Sequence, residues 1–582
     1  MKPAPRRWQV SDAPPLAGHP PLLGRVLAAR GHDDVSAAAF LDRGATFHDP
    51  AGLRGMEAAV RVIGEAIRAG ERVAVYGDYD ADGVTACALL SRSLRAAGVD
   101  TVPYIPNRMN EGYGLHGAAL QELHEQGVGC VITVDCGTSS IDVAAGRPAG
   151  MRLVVTDHHL PLAPHGAAPA LAAVDALINP KQPGCEYQFD GLAGAGVAWK
   201  LLCALEAAGL VPAGSGDGAL GLAALGTVAD MMPLRGENRL IVQRGLPRLR
   251  ESAGIRALCQ AAGLAAELRA SDLGFGIGPR INAAGRMEDA RLALDLCLCD
   301  DEEQASALAA RLDAQNRARQ QAVAVAMAEA ELLVQDLPDD APAIVLGSPD
   351  WPMGIVGLVA GRLSERYARP SFIVCLDAAE AKGSARSVGT VHIVEALDGA
   401  AATLIRYGGH RVAAGFSLDA ARFADFAAAV STAVAAQLGD APRQRVVAID
   451  GEISTADCIP ATCDMLDGLE PCGMGNTSPV LALRDCTVLS TSTFGGDAQH
   501  IRVALRDDGG LVEAIAFFKP QLAAHLPRGR RVDVCVALER DEWQGQVRVR
   551  ARLRDIRPAR PTAILEVVGT PIARNAASSA PT

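Results

Sequence analysis

The chain has 582 residues, of which 49% are hydrophobic and only 4% aromatic, and its formal net charge is −12. This length exceeds what one hydrophobic core can organise, so three or four domains are expected, and the negative charge argues against a protein that coats nucleic acid with its whole surface. No run of about 18 apolar residues is free of charged residues, which argues against a membrane-spanning helix.

The fourteen cysteines are scattered along the chain and include no Cys-x-x-Cys pair. Residues 1–10 carry charges where a secretory signal would carry an apolar segment. Buried, reduced thiols in a cytoplasmic protein explain this pattern better than disulfides or a zinc site.

The first three segments of the chain differ in their patterning. Residues 1–55 contain proline and histidine without periodicity and are predicted to form an irregular arm. Residues 56–297 alternate strand-like and helix-like patterns, which is typical of a doubly wound α/β domain around a parallel sheet. Residues 298–340 consist mainly of helix formers with apolar residues at intervals of three and four, so a long connecting helix is predicted.

Three further segments follow. Residues 341–443 are predicted to form a second α/β domain with several glycine-rich turns. Residues 444–558 contain short alternating strands separated by turn residues, which is typical of a small antiparallel barrel of the OB type. Residues 559–582 have the composition of a disordered tail.

Acidic and histidine side chains follow short apolar runs in the first α/β domain. Such runs are predicted to be buried parallel strands, and residues just past their carboxyl ends face a ligand crevice. The side chains concerned are Asp78, Asp80 and Asp82 after residues 73–76, Asp135 after residues 131–134, Asp157, His158 and His159 after residues 153–155, and Asp230 at the end of residues 222–230. We therefore expect them to converge at one edge of the sheet.

The first of these groups has a spacing that invites two other interpretations. Asp78, Asp80 and Asp82 are spaced as in an EF-hand loop, but its twelfth position is Leu89 and not a bidentate acid. A solvated acidic turn that caps a helix is the alternative. Three carboxylates on one turn repel each other unless a cation neutralises them.

Carboxylate oxygens with one or two imidazoles suit Mn²⁺ or Mg²⁺ better than an ion that prefers thiolates. Two such ions about 3.5–4 Å apart activate water for attack on a phosphoryl centre, and one carboxylate must then bridge both ions. The cluster therefore predicts metal-dependent phosphoester hydrolysis.

These motifs resemble those of the DHH phosphoesterase superfamily. The segments that carry the resemblance are Gly77-Asp-Tyr-Asp-Ala-Asp-Gly83, Asp135-Cys-Gly137, Asp157-His-His159 and Ala229-Asp230. Within the superfamily the chain is similar, over almost its whole length, to exonucleases specific for single-stranded DNA. The further matching segments are residues 106–115, 278–286, 354–360, 408–410, 413–416 and 469–476. One departure is Cys472, where the family motif has an aromatic residue.

The resemblance implies a 5′→3′ exonuclease that releases mononucleotides from single-stranded DNA by two-metal-ion catalysis in recombination and repair. It also implies an enzyme that works with single-strand-binding protein and a helicase, and the barrel within the chain suggests that a monomer suffices. The implied metal ligands are Asp80, Asp82, Asp135, His158 and Asp230, with Asp135 as the bridge and Asp78 as a ligand or an orienting group. His159 would contact the scissile phosphate or protonate the leaving oxygen, and Asp157 would hold an imidazole.

Candidate phosphate and DNA contacts lie outside the acidic cluster, and each has an ordinary turn or a surface charge as its alternative. In the first α/β domain, Arg280, Asn282 and Arg286 are candidate phosphate clamps, and Asn107, Arg108 and Tyr113 could contact sugar, phosphate or base. In the second α/β domain we predict anion cradles built from backbone N–H groups, with a hydroxyl, Arg or His added, at Ser384, Arg386, Gly408, Gly409 and His410.

The predicted barrel contains Arg548, Arg550, Arg552 and Arg554 at every second position. On a strand this period places all four guanidinium groups on one face. A groove that follows a phosphate backbone, with phenylalanines as stacking surfaces, is favoured over a solvated basic face.

Two alternative functions remain open. A phosphodiesterase for short oligonucleotides or cyclic dinucleotides would use the same acidic cluster but has no need of a barrel. A catalytically dead single-strand-binding scaffold would need the barrel but not the complete set of Asp and His ligands.

Overall fold

The structure is a computed structural model that describes residues 1–108, 111–161, 170–389, 391–439, 443–543 and 546–559. The chain divides into two compact units. The smaller unit contains Met1–Trp8, Arg280–Leu292 and Ala309–Val447, and the larger unit contains Gln9–Pro279, Ala293–Leu308 and Ala448–Thr582. Nearly all of the predicted disordered tail, from residue 560 on, lies outside the described residues. None of the described helices has the length and apolar character needed to cross a bilayer.

Residues 1–55 contain regular elements, so the prediction of an irregular arm is wrong. They form β1 (Arg6–Val10), α1 (Pro21–Ala29) and α2 (Asp34–Leu41). The prolines do not interrupt these elements, because Pro21 occupies the first turn of α1, where a missing N–H is tolerated. At the start of α2, Asp33 and Ser36 cap each other in a capping box.

Except for Arg280–Leu292, which belong to the smaller unit, residues 56–298 belong to the larger unit and contain the elements of the first α/β domain. Its elements are α3 (Met56–Arg68), β2 (Arg72–Gly77), α4 (Ala81–Ala96), β3 (Thr101–Tyr104), α5 (Gly117–Glu125), β4 (Val128–Val134), α6 (Ile141–Ala145), β5 (Arg152–Thr156), β6 (Ala176–Ile178), α7 (Gly194–Ala207), α8 (Ser215–Ala229), α9 (Gly236–Gly245), α10 (Ala253–Ala261), α11 (Ala270–Asp272), α12 (Gly278–Met287) and α13 (Arg291–Leu298). The predicted connecting segment contains α14 (Glu302–Gln335).

The five strands of this domain are all parallel, in the order β3-β2-β4-β5-β6, which confirms the predicted doubly wound sheet. β2 and β4 are buried along nearly their whole length, as expected for a sheet covered by helices on both faces. The strand order reverses between β2 and β4, because β3 lies beyond β2 whereas β5 and β6 extend the sheet beyond β4. Ligands bind at such switch points, outside the carboxyl ends of the strands.

Asp230 does not follow a strand, which corrects one expectation from the sequence. It is the residue that ends helix α8, where its N–H donates to the carbonyl oxygen of Gly226 at 2.9 Å. The run before it, Leu-Ala-Ala-Leu-Gly-Thr-Val-Ala, is rich in alanine and leucine, which favour a helix, and has only two β-branched residues.

The smaller unit contains a mixed sheet in the order β10-β11-β9-β8-β7, in which only β7 and β8 are parallel to each other. Its elements are β7 (Ile344–Ser348), α15 (Met353–Tyr367), β8 (Ser371–Cys375), β9 (Glu380–Arg386), α16 (Ile393–Asp398), β10 (Arg406–His410), β11 (Ala413–Asp419), α17 (Phe423–Leu438) and β12 (Arg445–Ile449). A second α/β domain was expected here, and the helices and sheet are present.

The C-terminal segment forms a closed barrel of five strands, which confirms the OB-like prediction. Its elements are β13 (Gly451–Ile453), α18 (Pro460–Leu466), β14 (Leu481–Phe494), β15 (His500–Asp507), β16 (Gly510–Ala516), β17 (Arg531–Trp543) and β18 (Gln546–Pro558). Pairing of β14 with β17 closes the ring β14-β15-β16-β18-β17. Buried side chains such as Val488, Val503 and Val534 fill the interior.

One buried arginine attaches the segment that precedes the barrel to the α/β domain of the same unit. The guanidinium group of Arg239, on α9, donates to the carbonyl oxygens of Gly468, Leu469, Glu470 and Pro471 at 2.8–3.3 Å. The guanidinium group, which has five N–H donors in one plane, thus provides a hydrogen-bond partner for four consecutive carbonyl groups. The barrel and the α/β domain are therefore joined by a specific contact and not only by a linker.

A buried ion pair links the N-terminal region to helices α7 and α9. Lys200 Nζ lies 2.6 Å from Glu237 Oε1 and donates to the carbonyl oxygen of His48 at 2.7 Å. The Tyr187 hydroxyl donates to the other Glu237 oxygen at 2.6 Å. Both charged side chains are fully buried, so each charge has lost its hydration and is stabilised by the opposite charge of its partner.

We expect the substitution Lys200→Met to lower the free energy of unfolding by about 3–5 kcal/mol, because it leaves the Glu237 carboxylate buried without its partner. Denaturant titration of the full chain would measure this change. The matched control is Arg61→Met, which removes an exposed ion pair with Glu65 and should cost less than about 1 kcal/mol. Equal losses in the two variants would contradict the assignment, whereas Lys200→Met combined with Glu237→Leu should recover part of the loss.

Candidate metal centre

The residues after β2 and the start of α4 bring three aspartates to the switch point. Asp80 precedes α4 and its Oδ1 atom accepts from the N–H groups of Asp82 and Gly83 at 2.9 and 3.1 Å. Gly83 is required here, because a Cβ atom at this position would lie 2.5 Å from the backbone of Asp78. The turn is therefore compact enough to place all three carboxylates together.

Asp82 is fixed by the N-terminus of a second helix. Its Oδ2 and Oδ1 atoms accept from the N–H groups of Gly194 and Ala195, the first residues of α7, at 2.7 and 2.8 Å. A helix N-terminus stabilises negative charge. Burial, and next the charge of Asp80, nevertheless raise the pKa of Asp82 to about 7. This carboxylate is therefore held rigidly, but its ionisation is opposed by its surroundings.

His158 lies among three carboxylates that come from different parts of the chain. Its Nε2 atom is 3.1 Å from Asp135 Oδ1, 3.6 Å from Asp230 Oδ2 and 3.9 Å from Asp82 Oδ2. Burial, and then the neighbouring His159 and Lys181, lower the pKa of His158 to about 3. The imidazole is therefore neutral, which is the form that ligates metals.

Four buried polar atoms of this cluster have no hydrogen-bond partner among the described residues. They are Asp78 Oδ1, Asp135 Oδ1 and both ring nitrogens of His158. Buried polar atoms almost always have a partner, and those that lack one in a native structure call for an explanation such as an ion. The donor set consists of carboxylate oxygens and imidazole nitrogen, so the residues fit Mn²⁺ or Mg²⁺.

Three overlapping groups of side chains could each hold an ion, with their ligand atoms within 4.8 Å of one another. They are Asp78, Asp80 and Asp135, then Asp82, His158 and Asp230, and finally Asp135, His158 and His159. Asp135 and His158 each belong to two of these groups, and Asp135 Oδ1 lies 3.1 Å from His158 Nε2, so Asp135 lies between the group with Asp78 and Asp80 and the group with Asp82 and Asp230, as a bridging carboxylate would. Asp135 also has a left-handed backbone with a φ of 62°, an uncommon conformation that aspartate tolerates better than most non-glycine residues.

Burial, followed by the charges of neighbouring aspartates, raises the pKa values of Asp78, Asp135 and Asp230. Each carboxylate therefore opposes the ionisation of the others in the absence of a cation. A divalent ion would relieve this repulsion.

His159 is oriented by two partners on one ring nitrogen. Its Nδ1 atom lies 2.8 Å from Asp157 Oδ1 and 3.0 Å from the Tyr113 hydroxyl. Burial lowers the pKa of His159, but the hydrogen bond and the charge of Asp157 outweigh this effect and raise it. Asp157 also accepts from the N–H of Thr138 at 2.9 Å, and it holds His159 directly.

Several residues that fix the backbone of the metal centre could not be recognised from the sequence. Lys181 Nζ donates to the carbonyl oxygen of His158 at 2.6 Å, and the Asn179 side-chain amide donates to that of His159 at 2.8 Å. Both follow β6, a strand of three residues that is too short to recognise from alternation. The Gly-Ala-Gly start of α7 is a weak signal for a helix N-terminus close to an anion.

The predicted DNA contacts near the cluster are placed beside it. Tyr113 contacts His159, as above, and the Arg108 guanidinium lies 4.8 Å from the centroid of the Tyr79 ring. The charge of Arg108 acts on Asp78 and opposes the rise of its pKa. The N–H of Asn107 donates to the carboxylate of Glu111 at 2.6 Å.

Candidate contacts in the smaller unit lie on α12 and on its sheet. Arg280, Asn282 and Arg286 lie on the helix α12, where Arg280 is paired with Asp313 at 2.9 Å and Arg286 donates to the carbonyl oxygen of Gly354 at 3.4 Å. These arginines are thus held by partners within the unit.

The predicted anion cradles differ from expectation because their residues lie in strands and not in turns. Cross-strand register aligns Ser384 with Gly415 and Gly408, and aligns Arg386 with Ala413 and His410. These side chains consequently share one sheet face. β9 and β11 have a hydrogen-bonded neighbour on each side, whereas β10 is the edge strand and pairs with β11 alone. Gly409 lies between Gly408 and His410 in the same strand, where its Cα pairs with that of Ala414.

This sheet face leaves room for a ligand. Arg386 donates to the Ser384 hydroxyl at 3.0 Å. A Cβ atom added at Gly408 or Gly415 would meet nothing within 4 Å. The face therefore combines an arginine, a hydroxyl and a histidine with open glycine positions.

The arginines of β18 alternate with buried Ala551 and Leu553, so Arg552 and Arg554 lie on the outer face as predicted. The neighbouring strand supplies acids: Arg550 lies 2.5 Å from Asp541 and Arg552 lies 3.3 Å from Glu539. The sequence pattern does not show this partial neutralisation.

Comparison with known proteins identifies the domains. Family models match residues 72–227 (DHH family, N-terminal domain), 333–436 (DHHA1 domain) and 449–555 (RecJ OB domain). A structure of RecJ in complex with Mn²⁺ from Thermus thermophilus superposes with a TM-score of 0.80 at 33% identity, over 96% of this chain and 80% of that chain. The Mg²⁺ complex from the same organism gives a TM-score of 0.75 at 32% identity, over 96% and 79%.

Similar sequences extend over nearly the whole chain. The single-stranded-DNA-specific exonuclease RecJ of Escherichia coli is 34% identical over 93% of this chain and 96% of its own length. The protein of the same description from Bacillus subtilis is 34% identical over 92% of this chain and 68% of its own length. The chain therefore belongs to the RecJ family of the DHH superfamily.

Proposed function

We propose that this protein is an exonuclease specific for single-stranded DNA, which hydrolyses phosphodiester bonds with two divalent ions, Mn²⁺ or Mg²⁺. The observation that carries the proposal is the buried cluster in which Asp135 belongs to two possible ligand groups and its Oδ1 atom lacks a hydrogen-bond partner among the described residues. The relatives named above support the substrate. The residues that would hold the ions are Asp78, Asp80, Asp82, Asp135, His158 and Asp230.

Divalent ions bound there would supply a Lewis acid and an activated water for attack on phosphorus. The protein itself provides orientation and a proton. The α7 N-terminus keeps both oxygens of Asp82 in position. The raised pKa of His159 favours its imidazolium form, in which the Nδ1–H donates to Asp157 and the Nε2–H can pass to the leaving oxygen as general acid catalysis requires.

The barrel would bind the strand away from the metal centre. The Arg502 guanidinium lies 5.3 Å from the Phe494 ring centroid, and that of Arg552 lies 5.6 Å from the Phe517 ring centroid. His500 packs edge-on against both rings and against Phe518, which is exposed. Aromatic rings beside arginines suit bases and phosphates of a single strand without regard to sequence.

The smaller unit would add phosphate contacts through Ser384, Arg386 and His410, next to the open positions at Gly408 and Gly415, with Gly409 between Gly408 and His410 in the same strand. Arg280, Asn282 and Arg286 belong to the same set of proposed contacts. By resemblance to the family, digestion would start at a 5′ end and release mononucleotides during recombination and repair, in a monomer that works with single-strand-binding protein and a helicase. The fourteen cysteines all lie in the described part of the chain and none forms a disulfide, which supports a cytoplasmic location.

The substitution Asp135→Asn should reduce cleavage by more than the 10–100-fold that is typical of losing an outer-sphere partner, because it removes a ligand shared by both ions. Titration calorimetry with Mn²⁺ should show loss of at least one bound ion, while binding of single-stranded DNA in chelator should be retained. The matched control is Asp142→Asn, an exposed acid on α6. Near-normal turnover and unchanged metal stoichiometry would refute the assignment of Asp135.

Digestion of one oligonucleotide labelled at either end tests the direction of hydrolysis. We expect a 5′ label to appear at once as a mononucleotide, and a duplex of the same sequence to resist digestion. A labelled mononucleotide that appears first from the 3′ end would contradict the direction. Faster hydrolysis of cyclic dinucleotides or very short oligonucleotides than of long strands would favour the alternative phosphodiesterase.

Neutralising Arg548, Arg550, Arg552 and Arg554 together with Gln substitutions tests the barrel. The slope of log affinity against log salt concentration should fall by about 0.7 for each arginine that contacts a phosphate of the single strand. Fluorescence anisotropy at several salt concentrations would measure it, with Arg61→Gln as the control. An unchanged slope would show that these arginines form a solvated face balanced by Asp541 and Glu539.

A further inference from the structure

A cavity of about 640 Å³ lies between helices α4 and α8, away from the metal centre. Arg92 of α4 lines it, together with residues from the first half of α8 and from the 3₁₀ turn Leu246–Glu251. Arg92 lies about 15 Å further along α4 than Asp82, whose carboxylate belongs to the metal centre. Small-molecule sites usually have volumes of about 300–1,000 Å³. The cavity therefore has the size of a ligand site and is separate from the metal centre.

Two arginines bring positive charge to this cavity. The side chains of Arg92 and Arg248 line it and are about one-third exposed. Arg92 pairs with Asp300 at 2.7 Å, and Arg248 pairs with Asp217 and Glu251, but these three carboxylates are 57–76% exposed. Ion pairs with exposed carboxylates contribute little to stability, so the arginines can exchange them for an enclosed anion at small cost. A guanidinium group also matches a phosphate group with two parallel N–H donors.

Ser252 adds a hydroxyl group without a partner. Its Oγ atom is buried and has no hydrogen-bond partner among the described residues, although the residue lines the cavity. Ser252 precedes α10, where a serine usually accepts a hydrogen bond from the first turn, but its side chain makes no such bond. Rotation about its Cα–Cβ bond would turn the hydroxyl towards the cavity. A bound phosphate would then give this hydroxyl the partner that it lacks.

Leucines from three elements also line the cavity. Leu89 of α4, Leu222 of α8 and Leu249 of the 3₁₀ turn are all buried. The turn packs closely on α8, since a Cβ atom at Gly221 would lie 3.1 Å from Leu249. Apolar walls stabilise a ligand by removing its apolar surface from water, and inorganic phosphate has no such surface. The cavity therefore favours a phosphate ester of a larger, partly apolar group over free phosphate.

We propose that this cavity binds a nucleoside monophosphate, with the phosphate held by Arg92, Arg248 and Ser252 and the base against the leucines. The arginines and the serine supply the donors that a phosphate requires, and the leucines and the volume suit a base with its sugar. Only the supply of the ligand rests on the proposed function, because the nuclease would release molecules of this class.

Titration calorimetry on the full-length protein in the presence of chelator tests the site. Without divalent ions the acidic cluster of the metal centre repels phosphate, so binding there does not contribute. The three probes are deoxyadenosine 5′-monophosphate, inorganic phosphate and deoxyadenosine. We expect the monophosphate to bind at least about tenfold more tightly than either other probe, because it alone contacts both the arginines and the leucines.

Two variants locate the binding in the cavity. Arg92→Gln should weaken binding of the monophosphate about tenfold, in line with the loss of a charge-assisted hydrogen bond. Gly218→Leu should weaken it at least as much, because Gly218 lines the cavity and a Cβ atom there would meet nothing within 4 Å. This second variant removes no existing contact, and leucine favours a helix more than glycine does, so α8 should fold normally.

Two control variants should leave the affinity for the monophosphate unchanged. Arg61→Gln removes a positive charge from an exposed ion pair elsewhere, and Arg386→Gln removes a proposed phosphate contact of the smaller unit. Loss of binding in Arg386→Gln but not in Arg92→Gln or Gly218→Leu would overturn the proposal. So would the absence of binding, or deoxyadenosine binding as tightly as the monophosphate. A metal-loaded protein without nuclease activity would overturn the proposed function but leave binding in chelator intact, which distinguishes the two failures.

Discussion

One constraint governs the metal centre: several carboxylates that repel each other are buried together at one edge of a parallel sheet. Desolvation and like charges both disfavour ionisation of Asp78, Asp135 and Asp230, so this arrangement is costly in isolation. Cations that share the space relieve this repulsion while the carboxylates stay ionised. The fold itself therefore produces a site that favours metal binding, because the adjacent parallel strands β2 and β4 end side by side and are each followed by aspartates.

The surrounding structure holds these acids in place despite the repulsion. Backbone N–H groups at the start of α7 bind both oxygens of Asp82, and the lysine and asparagine after β6 bind the carbonyl groups of the two histidines. Electrostatic preorganisation of this kind keeps ligands in productive geometry without a cost at the moment of reaction. A site built on helix and strand ends is also more rigid than one built on loops.

Much of this could be predicted from the sequence, because buried parallel strands are marked by short apolar runs and the residues that follow them share one edge. The ends of β2, β4 and β5 were recognisable for that reason. Asp230 was placed wrongly because an apolar run of alanine and leucine is compatible with a buried helix as well as with a strand. The acidic partners of Arg550 and Arg552 depend on the register of β17 with β18, which periodicity within one strand does not define.

The contact made by Arg239 has a consequence for how a long substrate is retained. Four carbonyl groups held by one guanidinium group connect the segment before the barrel to the catalytic domain. If both domains bind the strand as proposed, one bound part would present the rest to the second site at high effective concentration, with little entropy lost to a flexible tether. Dissociation would then require both attachments to open at once, which would favour removal of successive nucleotides during a single encounter.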